Sequence, residues 1–209
     1  LAKSGLSMID GFKVHSVYRR PEEIREKSGI FRAFERLKKQ GKTRFLMLSQ
    51  HRNVVEMLEA AVESDVFDVI QIPIHPLVPH DYFSDKETFP SHTSGEYFSA
   101  IRGASEKGIG IMSMKTVVGG PKNWETIPGF REKVAPYVPE GSSLAAALIR
   151  WTLEVPGVCS FANSVKSVEM FRENLTAAGA RLSGDERSAV ERFRTAADRS
   201  VCRMCGQCE

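Results

Sequence analysis

Cysteine is scarce in this sequence, and most of it lies at one end. The 209 residues contain four cysteines, and three of them, Cys202, Cys205 and Cys208, fall in the last eight residues. A disulfide framework spreads its cysteines through a small secreted domain, so this distribution argues against one and favours a metal site. The fourth, Cys159, lies in the apolar stretch GVCSFA and is predicted to be a buried small hydrophobic residue.

Long apolar runs and one-sided charge are lacking too. No run approaches the ~20 residues that span a bilayer, and the opening LAKSGLSMID has no signal-peptide core. The net charge of +3 is dispersed among acidic residues, which argues against nucleic-acid and acidic-lipid partners. We therefore expect a cytoplasmic protein with no nucleic-acid or membrane partner. Because Leu1 is not an initiator methionine, we also expect a fragment or processed product, and an export signal upstream stays open.

Short apolar runs alternate with longer segments of helical period. The runs, predicted to be strands, are MIDGFKV, TRFLML, FDVIQIPI, IGIMSM and VCSFA. A basic loop is expected after the first run, and a long loop from Pro76 to Ser94. Repeated strand and helix units with nearly continuous apolar strands indicate parallel strands covered by helices.

Three helix ends carry recognisable capping patterns. Gly41 is expected to end the helix that precedes the second strand. Asn53 and Glu56 are expected to form a capping box at the start of the next helix, and Ser183 and Glu186 to form another at the start of the last helix.

A barrel and a doubly wound sheet both fit this strand and helix pattern. No G-x-G-x-x-G follows any strand, so the dinucleotide fingerprint of the doubly wound class is missing. An eight-stranded barrel typically needs on the order of 250 residues. If the fold is a barrel, about three strands are absent, and the five predicted here form an open arc.

Polar residues follow the apolar runs at the strand ends, where barrel enzymes carry their chemistry, and one of them, Gln71, lies within the third run. Taken singly, each is explained as a turn residue or a satisfied polar group. Together they predict a polar ring at one end of a parallel sheet. Its members are His15, Ser49, Gln50, His51, Gln71, Lys115, Asn163 and Ser164.

Five segments in order resemble the aldo/keto reductases, specifically the branch with a cysteine-rich iron–sulfur tail. They are IDGFKVH, LKKQGKTRFLMLSQH, FDVIQIPIHPL, GIGIMSMKTVVGG and PGVCSFANSVKSVEMFRENL. The resemblance runs from Met8 to the C-terminus and is weakest in the long loops. It implies an α/β fold: the C-terminal part of a (β/α)8 TIM barrel over residues 1–198, with about five parallel strands, then the start of a 4Fe-4S ferredoxin-type segment over residues 199–209.

The resemblance implies an NAD(P)H-dependent oxidoreductase acting on a small-molecule carbonyl or alcohol. The family uses Tyr, Lys, Asp and His, and His15 matches the histidine that orients and polarises the carbonyl. The other three lie upstream in the family, and Lys13, Tyr18 and Asp10 are not substitutes. The chain alone is therefore expected to be inactive. The alternative is an inactive barrel that serves as a redox-responsive cofactor-binding or scaffold protein.

Cofactor-binding positions follow from the same resemblance. Ser49 and Gln50 match a Ser-Asn pair at the nicotinamide carboxamide, with Gln supplying the same amide chemistry. Gln71 matches a Gln at the same group. Met114 stands where many members stack an aromatic ring on the nicotinamide, and the iron–sulfur branch commonly has Met-Lys there.

The resemblance also assigns residues to the rest of the cofactor. Lys115 and the flexible loop with Gly119 and Gly120 would face the diphosphate. Glu173 and Asn174 match a Glu-Asn pair at the adenine.

The site for a 2′-phosphate departs from the family pattern. Where members that hold this phosphate tightly use a Lys-Ser pair and a downstream Arg, this sequence has Ser164, Val165 and Met170. Lys166 and Arg172 lie nearby, and they are read equally well as phosphate-binding charges or as solvated residues at a helix start. NADP and NAD therefore both stay open.

The tail resembles the opening of a ferredoxin-type run, C-x2-C-x2-C, which continues x3-C-P in bacterial ferredoxins. One loop with this spacing places three thiolates around one face of a cubane cluster, whereas structural zinc sites more often join two separated C-x-x-C motifs. Cys202, Cys205 and Cys208 are thus predicted to bind a 4Fe-4S cluster, with a fourth ligand past Glu209. Zinc, or no metal, stays an alternative. The cluster would relay electrons to a partner or only fix the tail.

Overall fold

Five parallel strands form a single sheet in the computed structural model, which describes residues 2–15, 17–26, 29–76, 94–117, 132 and 135–200. The sheet order follows the chain, and each strand is hydrogen-bonded in parallel to the next. The strands are β1 (Ile9–His15), β2 (Thr43–Ser49), β3 (Val69–Pro73), β4 (Gly110–Met114) and β5 (Val158–Ala162).

Helices separate the strands, as the helical periods predicted. They are α1 (Pro21–Arg25), α2 (Gly29–Lys39), α3 (Val54–Ser64), α4 (Ser94–Glu106), α5 (Leu144–Leu153), α6 (Val168–Ala177) and α7 (Gly184–Ser200), with 3-10 turns at Ala2–Ser4 and Ala135–Tyr137. Within the part of the chain described, no helix has the length and apolar character needed to cross a membrane.

The prediction of about five parallel strands with intervening helices is confirmed. β1 and β5 are the two outer strands of the described sheet. Helix α1 lies in the segment expected to be a basic loop, where Pro21 starts the helix and the Glu23 carboxylate accepts the backbone N–H of Arg19 at 2.6 Å. The predicted loop from Pro76 to Ser94 falls mostly on residues 77–93, which lie outside the described residues.

The main core lies between the sheet and helices α1 to α4. Leu46, Leu48, Ile70 and Ile72 alternate along β2 and β3 and are fully buried on the side that faces the helices. Alternation along a strand sends the residues between them to the other face. The residues between them on β2 and β3 therefore face away from these helices, and this second face of the sheet can carry polar side chains.

Two of the three predicted helix ends are confirmed. Gly41 adopts a left-handed φ of +64° after α2, and its N–H donates to the Lys38 carbonyl at 3.0 Å. At α7, the Glu186 N–H donates to Ser183 Oγ at 3.2 Å, and the Ser183 N–H donates to Glu186 Oε2 at 2.9 Å. This pair is the reciprocal capping box that the sequence predicts.

The capping box predicted for Asn53 and Glu56 is wrong. Asn53 precedes α3 but has a left-handed backbone (φ 51°), and its side chain makes no capping hydrogen bond. A capping side chain needs an extended backbone to reach back over the first turn. The Asn53 amide instead donates to the Arg19 carbonyl at 3.5 Å, which ties α3 to the loop after β1.

The prediction that Cys159 is buried is also wrong, because the side chain is exposed. Cys159 lies on β5, an outer strand of the described sheet, beside a register shift at Ile111 and Met112 of β4. Its Sγ contacts the Ile111 carbonyl at 3.2 Å. An irregular pairing at an outer strand breaks the alternation that an apolar sequence pattern assumes.

Candidate functional site

Three of the predicted polar residues lie in one row across the carboxyl edge of the sheet. His15 is the register partner of Ser49, and Ser49 is the register partner of Gln71. Register partners on neighbouring strands point to the same face. Their sequence neighbours Val14 and Leu48 are buried among the helices, so the row faces the opposite side, which is the inner side in a barrel.

A hydrogen bond between a lysine and a glutamine crosses this row. Lys13 Nζ lies 2.9 Å from Gln71 Oε1, so the lysine reaches from β1 past β2 to β3. Because an ammonium group only donates, the atom it contacts is the amide oxygen. Gln71 is only 5% exposed, and its NH2 group is the part that can donate to a ligand. Lys13 received no role from the sequence, although it lies two residues before His15 and therefore on the same face.

Hydrogen bonds fix the backbone and the side-chain NH2 group of Gln50, and its side-chain oxygen is the remaining acceptor. Its backbone N–H donates to the Gln71 carbonyl at 2.9 Å, and its side-chain Nε2 donates to the carbonyls of Arg52 at 2.8 Å and Tyr18 at 3.4 Å. Gln50 Oε1 is buried and has no hydrogen-bond partner among the described residues. A buried acceptor without a partner costs about 1–3 kcal/mol. This oxygen is therefore suited to accept from a ligand, and a carboxamide NH2 is such a donor.

Met114 and Lys115 extend the site beyond the end of β4. Ser49 Oγ lies 4.0 Å from Met114 Sδ, and both residues are buried. Lys115 follows with a left-handed φ of 57°, a conformation uncommon for a residue other than glycine. A hydrogen bond of 2.7 Å between the buried hydroxyls of Ser113 and Thr116 fixes the backbone on both sides of it. The left-handed turn therefore belongs to a well-anchored segment.

His15 and His51 meet nitrogen to nitrogen above this row. Their Nε2 atoms are 3.0 Å apart, and the ring centroids are 5.1 Å apart with the rings nearly perpendicular. Burial, followed by the positive charges of Lys115 and His15, lowers the pKa of His51. The pattern at the strand ends included His51 in the polar ring but gave it no separate role.

The residues assigned to the adenosine side lie after β5 and on α6. Ala162, the last residue of β5, is the register partner of Met114, so the segment with Ser164 starts beside the row. Ser164 is exposed, and Glu173 is half-buried on α6. Asn174 is 7% exposed, and its Nδ2 is buried with no partner among the described residues. This buried donor offers a ligand one hydrogen bond, and the ring nitrogens of adenine are acceptors that fit it.

The remaining predicted site residues, Gly119, Cys202, Cys205 and Cys208, lie outside the described residues. Within the described ranges, no group of three or more His, Cys, Asp or Glu side chains is arranged to hold a metal ion.

Comparison with solved structures identifies the fold. The chain matches an aldo-keto reductase from Bacillus halodurans in its holo form (TM-score 0.61, 16% identity, 90% of this chain, 61% of that one). It also matches one from Klebsiella pneumoniae in complex with NADPH (0.63, 18%, 90% and 59%) and the aldose reductase of Giardia lamblia (0.59, 17%, 93% and 64%). No protein-family model and no curated protein matches the sequence.

These likenesses define the class of fold as an α/β barrel of parallel strands. In particular, the five strands described here follow part of the barrel found in aldo-keto reductases, and the match covers about nine-tenths of this chain. The chain spans about 60% of the length of the solved structures it matches.

Proposed function

We propose that this chain carries the nicotinamide-binding and carbonyl-binding residues of an NAD(P)H-dependent oxidoreductase of the aldo/keto reductase type. The observation that carries the proposal is the row of His15, Ser49 and Gln71 at the carboxyl edge of the sheet. In barrel enzymes the chemistry lies at that edge. A fold shared with aldo-keto reductases, one of them in complex with NADPH, supports the same conclusion.

The two glutamines match the two ends of a carboxamide. Gln50 offers a buried acceptor without a partner, and Gln71 offers its NH2 group because Lys13 engages its oxygen. A carboxamide presents one NH2 and one carbonyl, so the pair satisfies both. Ser49 precedes Gln50 in the chain and is the register partner of Gln71, and Met114 beside it supplies an apolar, polarisable side chain for the nicotinamide ring.

The nicotinamide cofactor, when bound, supplies hydride to the carbonyl carbon. His15 donates a hydrogen bond to the carbonyl oxygen, on which negative charge develops. Lys115 and Gly119 bind the diphosphate, and Ser164, Glu173 and Asn174 bind the adenosine part. Lys166 and Arg172 supply positive charge near a 2′-phosphate, which favours NADP over NAD if they bind it.

The three tail cysteines, Cys202, Cys205 and Cys208, are proposed as ligands of a 4Fe-4S cluster. Three thiolates at this spacing converge on one site, and soft sulfur ligands suit iron–sulfur chemistry. An electron-transfer partner for the cluster belongs to the same proposal.

Cofactor fluorescence titration tests the core of the proposal. Replacing Gln71 with Leu removes a buried hydrogen-bonding group, so NADPH or NADH binding should weaken by about 1–3 kcal/mol, which is about 5- to 150-fold. Gln40→Leu is the matched control, because Gln40 is an exposed residue just after α2. Equal affinities of Gln71→Leu and wild type would remove Gln71 from the site. Comparing NADPH with NADH, in wild type and in Lys166→Gln, identifies the preferred cofactor.

A further inference from the structure

The contact between His15 and His51 is a hydrogen bond, so one of the two Nε2 atoms must carry a proton and the other must accept it. Two Nε2 atoms at 3.0 Å are within hydrogen-bond distance, and two bare lone pairs at that distance would repel. The separation of the ring centroids exceeds that of the nitrogens by more than 2 Å, so each ring extends away from the contact and the nitrogens point at one another. One ring is therefore the donor and the other the acceptor.

The surroundings of the pair decide which ring accepts. His51 is half-buried, and burial together with the positive charge of Lys115, after β4, lowers its pKa. Lys13 places a second positive charge on the inner face of β1, with its ammonium group on Gln71. A histidine among these charges is best kept neutral, and a neutral ring with its proton on Nδ1 presents a lone pair at Nε2.

We propose that His51 is a positioning residue that accepts a hydrogen bond from His15 and thereby keeps the proton of His15 on Nε2. The proposal rests on the proposed function, in which the Nε2–H of His15 is the group that meets the carbonyl oxygen. His51 occupies the acceptor position before a substrate arrives. A carbonyl oxygen then replaces one acceptor by another at the same N–H, so the ring needs neither a change of tautomer nor a large rotation.

Imidazole ¹⁵N spectra of the 209-residue chain test this without cofactor or substrate. We expect His15 as the Nε2–H tautomer and His51 as the Nδ1–H tautomer at neutral pH. In His51→Phe the acceptor is lost, so His15 should become a mixture of both tautomers. His51→Gln supplies an amide oxygen in place of the ring nitrogen and should restore the single Nε2–H form. His75→Gln, after the neighbouring strand β3, is the control and should leave both tautomers unchanged.

The pH dependence gives a second readout of the same contact. The contact survives while at most one ring is cationic, and it breaks when both rings carry a proton on Nε2. Replacing His15 with Phe removes one of the charges that lower the pKa of His51, so this pKa should rise. A pKa of His51 that stays unchanged in His15→Phe would contradict the coupling.

The results separate this inference from the proposed function. His51 found as the Nε2–H tautomer in the wild type overturns the inference even if a variant fails to fold, since that spectrum needs no mutant. Identical His15 signals in wild type and His51→Phe also overturn it. In the full-length protein, kcat/KM for carbonyl reduction should fall about tenfold in His51→Phe and recover in His51→Gln. An intact tautomer pair without any carbonyl reduction contradicts only the proposed function.

Discussion

The carboxylate of Glu186 on α7 accepts a hydrogen bond from the guanidinium group of Arg150 on α5, and both side chains are largely buried. The same carboxylate accepts from Ser142 Oγ at 2.6 Å, and Arg150 Nη2 donates to the Thr176 carbonyl at 2.8 Å. These bonds join α7 to α5 and α5 to α6, beside the strand that leads to the adenosine side of the candidate site. One buried ion pair thus links the three helices that follow β4 and β5.

Removing one partner of this pair should be costly. Glu186→Gln leaves the guanidinium of Arg150 without its counter-charge, so the free energy of unfolding should fall by about 3 kcal/mol. Glu191→Gln is the matched control, because Glu191 lies on the same helix in an exposed pair with Arg194 at 3.6 Å. The control should change the stability by less than about 0.5 kcal/mol in urea unfolding. Equal effects of the two variants would mean that the buried pair adds nothing.

Acid should abolish the contribution of Glu186. Burial acts to raise the pKa of Glu186, but hydrogen bonds from Ser142 and the Ser183 backbone, with the charge of Arg150, bring it below its ordinary value. A carboxyl group whose pKa is lower in the folded state stabilises that state above its unfolded pKa. This stabilisation is lost as the pH falls through the folded pKa. The stability difference between wild type and Glu186→Gln should therefore be full at ~pH 7 and shrink below ~pH 4. A difference that does not change with pH would contradict the lowered pKa.

Two glycines with left-handed backbones allow the cost of backbone strain to be measured separately from the cost of a steric clash. Gly157 has a φ of +95°, and a Cβ added there would lie 2.9 Å from Ser105 Cβ on α4. Gly179 has a φ of +74°, and a Cβ added there would meet nothing within 4 Å. Gly179→Ala should cost about 1 kcal/mol for the left-handed backbone alone. Gly157→Ala should cost at least about 1 kcal/mol more, because α4 must shift. If both variants lost the same stability in thermal unfolding, α4 would shift to accommodate the new Cβ at no measurable cost.

His15 should matter for turnover more than for cofactor affinity. His15→Ala removes the proposed hydrogen bond to the carbonyl oxygen, which would strengthen as charge develops there, so kcat of the full-length protein should fall about 100-fold. The cofactor dissociation constant should change less than about threefold, since no cofactor contact is assigned to this ring. Wild-type turnover in His15→Ala would make this histidine purely structural.

The tail cysteines can be tested by reconstitution with iron and sulfide under anaerobic conditions. The full-length protein should take up about four irons and four acid-labile sulfides per chain, and Cys205→Ser should hold the cluster poorly. Cys159→Ser is the matched control, because Cys159 is exposed on β5, and it should bind iron as the wild type does. Stoichiometric zinc without iron or sulfide would overturn the cluster assignment. An equally stable cluster in Cys205→Ser would remove that residue from the ligands.

The number of strands, their parallel direction and the positions of the polar residues near their ends could be predicted from the sequence because they follow from local patterns. Apolar runs of strand length, with His15 and Ser49 directly after the first two and Gln71 within the third, suffice to predict that these three residues belong to one polar ring of a parallel sheet. The cap at Ser183 is local in the same sense, since both of its partners lie within one helical turn.

Features that depend on contacts between distant parts of the sequence could not be predicted from local patterns. The left-handed backbone of Asn53 follows from a tie to the loop after β1, and the exposure of Cys159 follows from a register shift between two strands. The contact between Lys13 and Gln71 spans 58 residues of sequence, and the contact between His15 and His51 spans 36. Both depend on how far a side chain reaches over a neighbouring strand, which no spacing rule contains.

The position of each strand in the sheet affects how readily its backbone hydrogen bonds open. Gln71 lies on β3, the middle strand, whose backbone is paired on both sides, whereas His15 lies on β1, an outer strand of the described sheet. Outer strands generally open at lower free energy than central ones. Backbone amides around Gln71 should therefore exchange with deuterium more slowly than those around His15. The residue proposed to hold the carboxamide thus lies on the strand expected to open least, and the residue proposed to meet the carbonyl lies on a strand expected to open more readily.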